Sequence, residues 1–140
     1  MESRIAELAA LCRSHRIDIL YSFGSRSFEV ERFVRAEGPR LDAGGSDCDI
    51  GAHLDARGPI IVSGKVAIAQ TLEDLLGVER VDLVLLQEAD PFLACNVIRG
   101  ERLYCLDTRQ ADEYELYVLR RAGDLAPLER ARQALLMESS

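Results

Sequence analysis

The stretch Ile17-Asp18-Ile19-Leu20-Tyr21-Ser22-Phe23-Gly24-Ser25-Arg26 decides how this 140-residue chain is read. Its first seven residues are aliphatic or aromatic apart from Asp18 and Ser22, which is the composition of a strand, and Gly24 ends it. A strand that stops at Gly-Ser and turns straight into a helix leaves backbone N–H groups free to meet an anion. Upstream, Ile5, Leu8, Leu11 and Cys12 recur at helical spacing and predict an amphipathic helix over 3–14, with Ser3 as N-cap. Downstream, Asp49–Leu54 reads as a second strand and Val66–Leu76 as a helix closed by Gly77. Val81–Leu86 is short and continuously apolar around Asp82, the pattern of a buried strand. Ala94–Ile98 belongs to a short helix that Asp90-Pro91 opens and Gly100 closes, and Arg102–Leu106 reads as a fourth, edge strand. Asp107 with Gln110 predicts a capping box for a helix to about Arg121. Gly123-Asp124 then separates a last helix over about 125–137. Alternating helices and strands predict an α/β (α+β) fold with a mixed β-sheet and flanking helices. Residues 28–46 fit a strand through Phe28, Val30 and Arg32 as well as a helix through Phe28, Glu31, Val34 and Arg35.

Composition narrows the function classes. A hydrophobic share of 48% and a mean hydropathy of −0.03 are those of one globular domain over 1–140, with closing helices over about 108–137. Seventeen basic against twenty-four acidic residues leave a net charge of −7. Such a surface repels phosphate backbones and disfavours broad nucleic-acid binding. No apolar run approaches the roughly 20 residues of a membrane span. The opening MESRIAELAALCRSHR has no signal-peptide pattern, so the expected location is cytoplasmic. The four cysteines form no C-x-x-C pair and read as small buried thiols.

Three carboxylates sit where carboxylates are costly. Asp47 and Asp49 stand two apart at the mouth of the second strand, so both project to one side. Asp82 lies within Val81-Asp82-Leu83-Val84-Leu85-Leu86. On neighbouring strands all three share a face, and like charges so placed call for a cation such as magnesium, a hard ion that takes oxygen ligands. Gly24 lets a phosphate approach the main chain, Ser25 adds a hydroxyl donor, and Arg26 either forks onto phosphate or pairs with Glu29. The expected site is thus a triphosphate held between the Gly-Ser turn and metal ions on the acids.

Phe23-Gly24-Ser25-Arg26, then Ser46-Asp47-Cys48-Asp49-Ile50-Gly51, then Val81-Asp82-Leu83-Val84 resemble the motifs of the DNA-polymerase-β-like nucleotidyltransferase superfamily. The size, and the run from Ala89-Asp90-Pro91 to Tyr104, resemble its minimal nucleotidyltransferases, antitoxins of the MntA/HepT type. The resemblance implies the nucleotidyltransferase fold and transfer of AMP from ATP to a tyrosine hydroxyl of a cognate HEPN-domain ribonuclease toxin, as in type VII-like antitoxins. By position it implies that Asp47, Asp49 and Asp82 bind two magnesium ions and are catalytic, Asp82 orienting or deprotonating the acceptor. Gly24 and Ser25, with Arg26, would bind the nucleotide. Ser25 and Asp47 are 22 positions apart, more than the family's usual gap, so residues 28–46 carry an insertion beside the site.

Taken alone, each motif has a plainer reading: a solvated strand entrance for Asp47-x-Asp49 and a simple turn for Gly24-Ser25. His53, Tyr114 and Tyr117 read as packing or surface residues, and Arg120, Arg121, Arg130 and Arg132 as a solvated face or partner contact. Two other functions fit the chain: a non-catalytic antitoxin that occludes its toxin through the closing helices, and a small-molecule nucleotidyltransferase.

Overall fold

The computed structural model describes residues 3–35, 40–42, 44–55 and 62–138. Helix α1 (Arg4–Ser14) is capped by Ser3, whose side chain accepts the Ala6 N–H, and strand β1 (Ile17–Phe23) follows. A 3₁₀ turn over Gly24–Arg26 leads into α2 (Ser27–Val34). Then come β2 (Cys48–Leu54), α3 (Val62–Leu76), β3 (Val81–Leu85), a 3₁₀ turn over Leu86–Glu88, α4 (Pro91–Ile98), β4 (Glu101–Cys105) and α5 (Thr108–Glu138). The fold is the expected α+β arrangement.

The sheet order is β3-β2-β1-β4, with β2–β3 parallel and the other two pairs antiparallel. Strand β1 is buried along its whole length because helices cover both faces. On one face Leu20, Ile50, Ala52 and Leu83 meet Leu8 and Cys12 of α1, Val30 and Val34 of α2, and Leu72 and Leu76 of α3. On the other face Ile19, Tyr21 and Phe23 meet Ala94 and Val97 of α4 and Ala111 and Val118 of α5. Cys12, Cys48 and Cys95 are buried free thiols and Cys105 is half-buried. Burial pushes the Cys12 thiol up to about 12. Among the described residues no helix is long and apolar enough to cross a membrane.

Several expectations change. In the stretch left open, the helix wins over 27–34, because Val30, Phe33 and Val34 fall on one buried stripe while Phe28 stays exposed. Residues 36–39 and 43 of that stretch lie outside the described residues. Strand β3 is an edge strand, apolar on the face that α3 covers, and Asp82 takes the other, exposed face. The two closing helices are one: α5 runs unbroken through Gly123 and Pro127. A proline clashes with the carbonyl four residues back. Here that residue is Gly123, exposed and with open space where a side chain would stand, so water can reach the freed carbonyl. The capping box is half formed. Asp107 accepts from the Arg109 and Gln110 amides, but the Gln110 side chain turns to Asp18 instead.

Glycine 51 is the narrowest point of the packing. It faces α4, and a Cβ there would overlap the buried Val97 side chain. Gly51→Ala is expected to destabilise the domain by about 1–3 kcal/mol through overpacking, read as a lower midpoint in urea unfolding. An unchanged midpoint would mean that helix and strand do not approach this closely.

Candidate active site

The parallel pairing of β2 and β3 sets Asp49 directly opposite Asp82, and the antiparallel pairing of β1 and β2 sets Phe23 opposite Asp49. Directly paired residues point to the same side of a sheet. The two carboxylates therefore share the face that carries α4 and α5, beyond the part those helices cover. Asp47 precedes β2 by one residue and lies 3.5 Å from the guanidinium of Arg80, which precedes β3 by one residue. Asp82 is exposed, Asp49 half-buried, and the Asp47 side chain is 46% exposed, so the acids form an open ledge.

The charges interact. Asp49 titrates above the ordinary carboxylate range, first because it is partly desolvated and then because the Asp82 and Asp47 carboxylates repel its anion. Gly24 completes the ledge. Its φ of +75° is a left-handed conformation that glycine adopts freely, and a Cβ would collide with the Asp49 carboxylate. The Gly-Ser turn and the Asp-x-Asp strand are thus in contact, with Ser25 exposed beside them.

The donor set suits a hard divalent cation. It is all carboxylate oxygen, open enough for water ligands, and holds at Asp49 an anion that nearby negative charge destabilises. Among the described residues no three His, Cys, Asp or Glu side chains are drawn together tightly enough to make a ready ion cage. Asp47 leans instead toward Arg80.

Arg26 makes the Glu29 pair that the sequence offered as its alternative. Its side chain is 6% exposed and pairs with Glu29 at 3.2 Å, and it also donates to the Ser46 carbonyl at 2.7 Å and the Asp42 carbonyl at 2.9 Å. The fork is filled by the protein itself.

Two features escaped the sequence reading. Arg80 beside Asp47 follows an unremarkable Val78-Glu79, and only the strand pairing brings it near. Asp18 carried a signal, a carboxylate within an apolar strand, which must find partners when buried. It is 3% exposed and lies 2.6 Å from His53 Nδ1, while its other oxygen accepts from Gln110 at 3.1 Å. His53 is therefore the partner of a buried acid. It lines a 270 Å³ cavity with Tyr114 and Tyr117, on the acids' side of the sheet but beyond the Gly51–Val97 contact.

No protein-family model matches the chain, and no curated protein matches it. Solved structures do. One chain of a complex described as tri-AMPylated Shewanella oneidensis HEPN toxin with MNT antitoxin is 23% identical, with 97% of this chain and 95% of that one covered and a TM-score of 0.63. A toxin–antitoxin with AMP-PNP is similar at 24% identity, 96% and 97% coverage and a TM-score of 0.65. The toxin–antitoxin MntA-HepT is similar at 22% identity, 97% and 96% coverage and a TM-score of 0.62. At this identity the likeness establishes the fold, that of these toxin–antitoxin chains, along nearly the whole length.

The raised Asp49 pKa has a signed consequence. Its folded value lies above its unfolded one, so the native state binds more protons between the two, and stability falls as pH rises through the carboxylate range. Asp49→Asn is expected to raise the melting temperature at pH 7 by roughly 2–4 °C. The gain should vanish below about pH 3, where the carboxylate is protonated in both states. Thermal melts across this range check it; a variant no more stable than wild type at pH 7 would mean that the acids do not repel.

Proposed function

We propose that this chain is a nucleotidyltransferase that moves AMP from ATP to a tyrosine hydroxyl of a HEPN-domain toxin, and so acts as that toxin's antitoxin. The observation that carries the reading is the pairing of Asp49 with Asp82, with the side-chain-free Gly24 packed on Asp49. The similar structures support the partner and the group transferred, since one holds an AMPylated HEPN toxin with its antitoxin and another holds AMP-PNP.

Asp47, Asp49 and Asp82 would hold magnesium, which when bound neutralises charge on the triphosphate and on the leaving pyrophosphate. The main chain at Gly24 and the Ser25 hydroxyl receive the β- and γ-phosphates, because the turn into α2 presents unpaired N–H groups there. Asp82, exposed at the sheet edge, orients the acceptor hydroxyl and takes its proton. The acceptor oxygen bonds to the α-phosphorus as the bond from that phosphorus to the pyrophosphate oxygen breaks. The proton passes from Asp82 to solvent. The open ledge suits an acceptor delivered by another macromolecule, since a protein-borne hydroxyl needs access rather than an enclosed pocket. Most of the rate enhancement would come from positioning and charge compensation.

A second reading, neutralisation by binding alone, is favoured by one observation. Beyond Pro127, α5 carries Leu128, Leu135, Leu136 and Met137 at 69%, 66%, 57% and 78% exposure, more apolar surface than a solitary helix end needs. The first half of α5 is different: Ala111 and Val118 belong to the core, so only the part after Pro127 can be removed without opening the domain.

Incubation with a HEPN toxin and Mg²⁺ should transfer label to the toxin from α-labelled but not γ-labelled ATP. The Asp47→Ala plus Asp49→Ala double variant should lose at least about 100-fold of that rate. If the double variant still protects cells from the toxin, while truncation after Pro127 does not, binding rather than transfer neutralises the toxin. Labelling that persists in the double variant removes these carboxylates from the mechanism.

A further inference from the structure

Arg26 is 5% exposed and follows the Gly-Ser turn directly. Each nitrogen of its guanidinium has a partner: Nε the Glu29 carboxylate at 3.2 Å, Nη1 the Ser46 carbonyl at 2.7 Å, Nη2 the Asp42 carbonyl at 2.9 Å. Two of these are backbone groups 16 and 20 residues further along, in the segment that delivers Asp47. There the Gly45 amide donates to the Asp42 carbonyl at 3.3 Å and the Gly44 amide to the Asp42 side chain at 3.1 Å. Gly45 also lies against the fork, where a Cβ would come within 3.2 Å of Nη1.

A guanidinium is a rigid planar fork that two carbonyls can fill at once, and burying it is costly unless its donors are filled. The connection it spans is long. Ser25 and Asp47 are 22 positions apart, α2 occupies 27–34 of that stretch, and the two carbonyls that Arg26 holds lie in the connection from α2 to β2. We propose that Arg26 is a positioning residue, a buried strut that ties the Asp42 and Ser46 carbonyls to the Gly-Ser turn and so sets where Asp47 stands. It does not touch phosphate. The consequence for Asp47 rests on the nucleotidyl-transfer reading above, whereas the strut itself does not.

The test uses the full chain with Arg26→Lys, Arg26→Met and Gly45→Ala, and two readouts that need no turnover: amide hydrogen exchange over 44–48, and Mn²⁺ binding without nucleotide, followed by EPR. In both Arg26 variants these amides should exchange at least about 10-fold faster than in wild type. Mn²⁺ affinity should fall roughly 5-fold or more. Lysine should behave like methionine, since it keeps the charge but reaches at most one carbonyl. Gly45→Ala, an exposed and mild change, should move both readouts the same way by about 3-fold and carries the test if the Arg26 variants do not fold. Unchanged exchange and Mn²⁺ binding in the folded variants, with only ATP affinity weakened, would make Arg26 a phosphate ligand and overturn the strut. Faster exchange in a protein whose wild type binds no Mn²⁺ and transfers no AMP would leave the strut standing and remove the nucleotidyl-transfer reading.

Discussion

Two like charges face each other across adjacent strands, and much of the molecule is arranged to hold them there. Asp49 and Asp82 are directly paired on parallel strands, a placement that costs stability when both are ionised. The sheet can impose it because each acid's strand neighbours are anchored on the opposite face. Cys48 and Ile50 flank Asp49, Val81 and Leu83 flank Asp82, and all four are buried in the core beneath α1, α2 and α3. Shifting either strand by one residue would relieve the repulsion only by exposing that apolar set. The hydrophobic register therefore overrules the electrostatic preference.

The same division of labour recurs along β1. It is covered on both faces, so its two polar residues must be satisfied inside. The Ser22 hydroxyl donates to the Ser27 carbonyl at 3.0 Å, and Asp18 is shared by His53 and Gln110. These bonds tie β1 to the first turn of α2, to β2 and to the start of α5. Tyr21 adds a tie to α5 through its hydroxyl, which donates to Glu115 at 2.8 Å, and Glu115 also pairs with Arg102 of β4. Burial first, and then the Glu115 carboxylate, hold the Tyr21 phenol well above its ordinary pKa against the opposing pull of Arg102, so it stays a hydrogen-bond donor.

Helix α5 joins two environments in one element. Its first half covers part of the sheet face that also carries the acids, and its far end projects apolar side chains away from the core. A break at Gly123-Asp124 is a reasonable reading of glycine beside a polar residue, yet the helix continues. The carbonyl that Pro127 leaves without an N–H donor is that of exposed Gly123, open to water, and α4 lies alongside Leu119, Ala122 and Ala126.

Periodicity and punctuation by themselves determined the four strands and the helices other than α2 and the unbroken α5, because alternation, helical stripes, Asp90-Pro91 and Gly77 are local signals with local physical causes. They also picked out Gly24, Ser25, Asp47, Asp49 and Asp82, since a carboxylate in an apolar strand and a glycine-serine strand end are costly or special wherever they occur. What local signals do not carry is the choice of partner for a group with several options. Arg26 had phosphate, Glu29 and two distant carbonyls within its reach, and Gln110 had its own helix cap or a buried acid. Arg80 acquired Asp47 only through strand pairing. Those choices belong to the tertiary structure, because burial decides which donors must be filled, and the path of the chain decides which acceptors are near enough to fill them.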